Sequence, residues 1–134
     1  MTQEDKMLLI KDLSSRLPYA VHVQHISGVS GILHDISIFH KYDENDNIYD
    51  AICYTDFFSN KNSIDIEQFK PYLFPLSSMT EEQKKEYQYI TERWMHDSSY
   101  SISDSIDWLN KNHFDYRNLI DKNLAIDATG LNIY

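Results

Sequence analysis

The chain contains little of what flexible or cross-linked proteins depend on. Its 134 residues include three glycines, three prolines and one cysteine. So few glycines and prolines argue against linkers, low-complexity segments and long disordered stretches. The single cysteine, Cys53, cannot form an internal disulfide and cannot build a thiolate metal site by itself. Because the length is close to the commonest domain size, we predict one domain over residues 1–134.

Positive charge and long apolar runs are also scarce. The chain has 12 Lys and Arg residues against 21 Asp and Glu, which gives a formal net charge of −9. No segment concentrates basic residues, so direct binding to nucleic acid is disfavoured. No apolar run is long enough to span a bilayer, and the opening MTQEDKMLLIKDL is acidic where a signal peptide would be basic. We therefore predict a cytoplasmic protein with no membrane association.

The first region, residues 1–18, has the apolar spacing of an amphipathic helix. Thr2 caps this predicted helix, and Pro18 ends it because the residue before a proline avoids the helical conformation. The predicted buried face comprises Met7, Ile10, Leu13 and Leu17, and the predicted outer face includes Lys6, Lys11 and Asp12.

The second region, residues 19–68, changes from a period near 3.6 to a period of two. Its apolar segments are short, rich in β-branched and aromatic residues, and separated by turn residues. Gly28 and Gly31 predict a turn and a bulge, and KYDENDN predicts a polar hairpin loop. Four or five antiparallel strands are expected, arranged as a small sheet or as a partly closed, SH3-like barrel.

The third region, residues 69–134, begins with an irregular segment and continues as helices. KPYLFPLSSM carries two prolines and is predicted to be extended and to pack against the sheet. Thr80 and Gln83 form a capping box that begins the first of three predicted helices. The other two cover residues 103–112 and 115–122, and Asn123 is a predicted left-handed cap. The predicted fold class is therefore α+β.

Six histidines raise the question of a metal site. His22 and His25 are three apart on a predicted strand, so they point to opposite faces and cannot chelate one ion together. The segment DENDNIYDAICY resembles a calcium loop, but Ile48 and Tyr54 stand where that loop needs glycine and glutamate. Cys53 lies in a predicted strand, away from the settings that activate thiolates. We predict no metal and no other cofactor.

The segment SIDWLNKNHFDYRNLIDKNLAID groups residue types that often form sites. Each of these residues also has a predicted structural role in a helical hairpin. Arg117 and Asp121, for example, are a predicted (i, i+4) pair on its surface. Because nothing pairs a base with a nucleophile, catalysis is disfavoured. The candidate interaction surface comprises Tyr72, Phe74, Trp108, His113, Tyr116 and Arg117, which are residue types that serve as interface anchors. Core packing is the alternative for these side chains, and the abundance of buried aromatic residues in proteins favours it.

Three motifs carry a resemblance over nearly the whole chain: LLIKDLSSRLPY at 8–19, KPYLFPLSSMT at 70–80 and DWLNKNHFDYRNLIDKNLA at 107–125. Together they are similar to an uncharacterised group of small proteins from gut bacteria and their prophages or mobile elements. This chain differs at Asn123, where the group has glycine, and at Phe74, where it tends to have arginine. The resemblance implies no reaction, cofactor or catalytic residue.

These observations predict a non-catalytic protein-interaction or accessory protein whose partner is another protein. Two alternatives stay open. An acidic protein of this kind could inhibit a basic nucleic-acid enzyme by imitating nucleic acid, although the acids are distributed along the chain instead of clustered. A small enzyme or metal-binding module using His22, His34 or His113 would require three ligands or catalytic groups to converge in one cleft.

Overall fold

A computed structural model describes residues 1–43, 46–56, 64–96 and 102–134 of the chain. Helices and strands are segregated, which confirms the predicted α+β class. The elements are α1 (Gln3–Arg16), β1 (His22–His25), β2 (Ser30–Asp43), β3 (Asp46–Thr55), β4 (Ile64–Asp65), β5 (Phe69–Pro75), α2 (Glu81–His96), α3 (Ile102–Lys111), β6 (Phe114–Asp115) and β7 (Ile126–Asp127).

The strands form one mixed, open sheet. Its order is β4-β3-β2-β1-β5-β6, and β7 also pairs with β5. The pairs among β1 to β5 are antiparallel, whereas β6 and β7 run parallel to β5. The strand pairs within residues 19–68 are therefore antiparallel, as predicted, and the parallel pairs come from strands that the prediction did not include. The described strands do not close into a barrel. The parallel pairs arise because the chain returns to β5 only after the long crossover through α2 and α3.

β5 lies inside the sheet, where the sequence predicted an irregular segment. Two prolines are tolerated because both lie at ends of ladders: Pro71 pairs with Val23 at the last position of the β1 ladder, and Pro75 ends the strand. Tyr72 and Leu73 are buried between them, but they lie within the sheet, whereas the sequence predicted that they pack against it.

The β2–β3 hairpin is longer than predicted. Its ladder extends from Leu33 opposite Thr55 to Asp43 opposite Asp46, so most of the predicted KYDENDN loop is strand. Gly28 adopts a φ of 93° in the turn before β2, as predicted, but the irregularity in the ladder falls after Leu33 and not at Gly31. Residues 44–45 and the predicted SNKN turn lie outside the described residues.

Two clusters of buried side chains hold the layers together. The larger lies between α1 and the sheet and includes Leu9, Ile10, Leu13, Val21, Val23, Leu33, Phe69, Leu73 and Leu119. The smaller joins α2, α3 and β6 and is formed by Trp108, Leu109 and Phe114, with Tyr87 and Ile90 packed against it. The predicted faces of α1 were wrong at three positions: Met7 is 37% exposed, Asp12 is fully buried, and the side chain of Lys6 is only 12% exposed.

Residues 115–122 are not a helix, contrary to prediction. They form a series of turns in which Asn118 has a left-handed φ of 60°. The Asp115 carboxylate accepts hydrogen bonds from the backbone N–H groups of Leu119 at 3.0 Å and Ile120 at 2.9 Å. A carboxylate that satisfies the backbone in this way competes with helix formation. Asn123 has the predicted left-handed backbone, with φ 59°, but it follows a turn.

Candidate interaction site

The structure gathers the six predicted interaction residues in one corner, where β5, β6, α3 and the end of α1 meet. Tyr72 is 5% exposed and Trp108 is 8% exposed. The four others are half-buried: Phe74, His113, Tyr116 and Arg117. Tyr72 and Trp108 thus have almost no surface to offer a partner.

The aromatic rings of the corner pack mainly on one another. Trp108 stacks on Phe114 with 5.6 Å between ring centroids and 13° between planes. Phe74 lies 6.2 Å from Phe114, and Tyr87 of α2 lies 5.5 Å from Trp108. Such contacts stabilise a fold beyond the area they bury. Trp108 therefore serves to hold α2 and α3 against the sheet.

A buried ion cluster lies beside these rings. The Arg16 guanidinium donates from Nε to Asp12 Oδ2 at 2.9 Å and from Nη2 to Asp12 Oδ1 at 3.1 Å. Arg16 Nη2 also donates to the Phe114 carbonyl at 2.7 Å. Arg117 Nη1 donates to the same Asp12 Oδ1 at 2.8 Å. Arg117 thus binds Asp12, and the predicted helical pair with Asp121 does not form because that helix is absent.

Tyr116 provides the floor of this cluster. Its ring centroid lies 5.3 Å from the Arg16 guanidinium carbon and 4.4 Å from that of Arg117, which are cation–π distances. The Tyr116 hydroxyl donates to Asn110 Oδ1 at 2.9 Å. Tyr116 and Arg117 are therefore fixed by interactions within the chain.

Tyr134 is a member of the corner that sequence analysis missed. Its ring stacks on His113 with 3.6 Å between centroids and 10° between planes. It meets the His22 ring edge-on at 5.0 Å and lies 5.9 Å from Phe74. The Tyr134 hydroxyl accepts from the His22 backbone N–H at 2.9 Å and donates to the Tyr72 carbonyl at 2.8 Å. We call this surround of His22, Tyr72, Phe74 and His113 the tyrosine slot.

The two stacked rings of the slot, those of His113 and Tyr134, are electrically neutral near pH 7. Burial, the positive charge of Arg16 and the nearby His22 together lower the pKa of His113 to about 4, and burial is the largest of these causes. Burial also raises the pKa of Tyr134 above its ordinary value. The stacked pair is therefore an uncharged imidazole on an uncharged phenol.

His113 occupies an unusual backbone conformation. Its φ is 61°, in the left-handed region that glycine favours, just after α3 ends. A side chain in this region costs roughly 1–2 kcal/mol relative to the ordinary helical conformation. The Phe74 N–H donates to the His113 carbonyl at 2.8 Å, which ties this turn to β5.

A second candidate surface lies on α1, away from the corner. An open depression of about 600 Å³ runs along this helix and is lined by Gln3, Glu4, Met7, Leu8, Ile10 and Lys11. Met7 is exposed, Leu8 is half-buried and Ile10 forms the buried floor. The sequence predicted that Met7 and Ile10 share one buried face. Ile10 is buried as predicted, whereas Met7 is exposed.

The histidines, acids and cysteine outside these two surfaces do not form a site among the described residues. No three His, Cys, Asp or Glu side chains within the described ranges lie where they could hold a metal ion together. Burial, with a smaller effect of Asp65, raises the pKa of the Cys53 thiol to about 12. In the same part of the chain, no helix combines the length and apolar character needed to cross a membrane.

Comparison with known proteins found no matching protein family, no matching curated protein and no matching solved structure. The resemblance to small proteins of gut bacteria and their mobile elements therefore stays a prediction.

Proposed function

We propose that the chain is a non-catalytic protein-interaction protein that docks a helix of its partner on the apolar depression of α1. The observation that supports this is the exposed Met7 side chain on a well-formed helix, with Leu8 half-buried beside it and packed against the core. Apolar depressions of this kind are typical of sites where proteins meet. The cytoplasmic location predicted from the sequence belongs to the same proposal.

The shape of the depression favours a helical occupant. Gln3, Met7 and Lys11 are four residues apart, so the depression follows the axis of α1. Side chains four apart form ridges, and the grooves beside them accept the ridges of a second helix. A partner helix with apolar residues at three- and four-residue spacing fits this surface.

Charges at the rim give the docking an expected direction. Glu4 lies near the start of α1 and Lys11 lies two turns further, which is about 10 Å along the axis. A partner helix that carries a basic residue opposite Glu4 and an acidic residue opposite Lys11 would be matched at both ends. Such rim pairs mainly set orientation, whereas the apolar contact supplies affinity.

The test compares two charged substitutions, Met7→Glu in the depression and Ile26→Glu outside it. Ile26 is 73% exposed on the turn after β1, so its replacement adds the same charge at a distant apolar position. Each chain would serve as bait in nuclease-treated lysate of the source organism. Every captured protein would then be purified, and its affinity would be measured for the original chain, the Met7→Glu chain and the Ile26→Glu chain.

The proposal expects a partner that survives a high-salt wash, binds the Ile26→Glu chain normally and loses affinity for the Met7→Glu chain. A partner that binds all three chains equally would contradict docking on α1. Capture of a basic nucleic-acid enzyme that is lost at high salt would instead favour the acidic mimic, since exposed charges are screened by salt.

A further inference from the structure

We infer that the tyrosine slot is a binding site for a tyrosine side chain on an extended segment of a partner protein. Residues 128–134, which we call the strap, occupy this slot from within the same chain and so compete with the partner. The slot and the α1 depression share no residue, so this inference is independent of the proposed function.

The strap is held mainly at its two ends. Ala128 donates its N–H to the Leu73 carbonyl at 2.8 Å. The hydrogen bonds described for the next residues are local, from Thr129 to Asp127 and from Leu131 to Ala128. Residues 129–132 are exposed, and the next described bonds to the body of the protein are those of the Tyr134 hydroxyl. The Tyr134 ring and hydroxyl therefore make most of the described contacts between this part of the strap and the body of the protein.

The slot matches a phenol in chemistry as well as in shape. The Tyr134 ring lies between a stacked imidazole and the edge of a second one, which are favourable aromatic geometries. The hydroxyl has one donor and one acceptor partner, the Tyr72 carbonyl and the His22 N–H. Phenylalanine would leave both backbone groups without this partner, and sites built around a hydroxyl discriminate strongly against its loss.

The walls of the slot belong to the rigid part of the fold. His22 begins β1, and Tyr72 and Phe74 belong to β5, which pairs with β1. His113 lies in the turn that the Phe74 N–H holds. None of these walls is part of the strap. The left-handed backbone of His113 destabilises the fold relative to glycine at this position. In return, histidine places an imidazole in the slot, which glycine cannot do.

Occupation by the strap regulates access. A tethered segment experiences an effective concentration on the order of millimolar, so an external peptide binds only after competing with it. Removing the Tyr134 side chain should therefore raise the affinity for an external tyrosine peptide.

The experiment uses the full chain with Tyr134→Ala and a peptide of the strap sequence, ATGLNIY, labelled with a fluorophore at its first residue. Fluorescence polarisation would measure binding to this chain and to the original chain. We expect the Tyr134→Ala chain to bind at least about tenfold more tightly, because the internal competitor is gone. The matched peptide ATGLNIF should bind roughly tenfold more weakly than ATGLNIY, because two hydrogen bonds are lost.

A further variant locates the binding. Tyr134→Ala combined with His113→Gly removes the stacking ring and suits the left-handed backbone, so it should fold and lose most of the peptide affinity. The inference is overturned if the Tyr134→Ala chain folds but does not bind ATGLNIY, if ATGLNIF binds equally well, or if the double variant binds as tightly as the single one.

Should Tyr134→Ala fail to fold, Tyr134→Phe replaces it. That chain should bind ATGLNIY more tightly than the original, and equal affinity would overturn the inference.

Discussion

Asp12 and Arg16 form a bidentate ion pair one helical turn apart in which neither side chain has any exposed surface. Arg117 reaches the same carboxylate across 105 positions of sequence, with 14% of its side chain exposed. One aspartate therefore balances two guanidinium groups, and it joins the first helix to the turns that follow β6. Arg16 Nη1 is buried without a hydrogen-bond partner among the described residues. The buried guanidinium therefore depends on Asp12 for its charge balance.

Replacing Asp12 with asparagine should destabilise the fold by about 3–5 kcal/mol, because removing one partner leaves buried charge without compensation. The volume of the side chain is nearly unchanged, so the loss would report electrostatics instead of packing. Urea unfolding followed by circular dichroism would measure the change in the free energy of unfolding.

Glu4→Gln is the matched control for that substitution. It neutralises an exposed carboxylate on the same helix, in the first turn. We expect a loss of only about 0.3–1 kcal/mol, the usual contribution of a charge near a helix terminus. Equal effects for the two substitutions would contradict the arrangement of Asp12 with its two arginines.

Local signals predicted the starts of α1 and α2 correctly, whereas the capping signal at Asp115 predicted a helix that is absent. Asp5 donates its N–H to Thr2 Oγ1 at 3.1 Å, as the predicted cap required. Thr80 and Gln83 exchange the two hydrogen bonds of the predicted capping box, at 2.9 and 3.1 Å. These features depend on residues three apart in the sequence, so the sequence carries their geometry directly.

Features that depend on distant residues were not predictable in the same way. Asp12 and Arg16 have the spacing of an ordinary surface pair on a helix. The burial of Asp12 is explained only by Arg117, which is distant in the sequence and binds the same carboxylate. β5 carries two prolines, and its place inside the sheet depends on which strands pair with it. The slot was missed for the same reason, since Tyr134 belongs to no motif and meets His22 only through the fold.

His113 gives the protein a predicted dependence on pH. Its folded-state pKa of about 4 lies below its ordinary value of 6.5, so the unfolded chain binds a proton more readily. The free energy of unfolding is therefore unaffected by protonation of His113 above pH 6.5, and it falls as the pH drops from 6.5 toward 4 because the unfolded chain is protonated first. Arg16, His22 and Tyr134 surround the imidazole, and of these Arg16 opposes its protonation at every pH of interest.

The variant His113→Asn isolates this effect, because asparagine tolerates the left-handed backbone but does not titrate. Urea unfolding at several pH values should show the original chain losing stability relative to the variant between pH 6.5 and 4. Above pH 6.5 the difference should be constant. A constant difference over the whole range would mean that His113 protonates normally in the folded chain.

Ala20→Gly should stabilise the protein. Ala20 is exposed and has φ 53° and ψ 52°, a conformation in which its Cβ crowds the backbone. Glycine removes that crowding but increases the entropy of the unfolded chain, and the expected net gain is about 0.5–1 kcal/mol. Lys85→Gly, at an exposed position within α2, should instead cost about 1 kcal/mol. Thermal unfolding of both variants would test the contrast, and a loss at both sites would contradict the left-handed conformation of Ala20.

Cys53 should be inert in the folded protein. It is 1% exposed and pairs with Ile36 and Ile64 in the ladders on either side of β3. Because the thiolate is the reactive form, a pKa of about 12 leaves very little of it at pH 8. Ser77→Cys adds a second thiol at an exposed turn of the same chain as an internal reference. Ellman's reagent should label one thiol of this variant at once and the second only as urea unfolds the protein. Rapid labelling of both thiols without urea would show that β3 opens readily, since a thiol held between two ladders reacts only when those ladders separate.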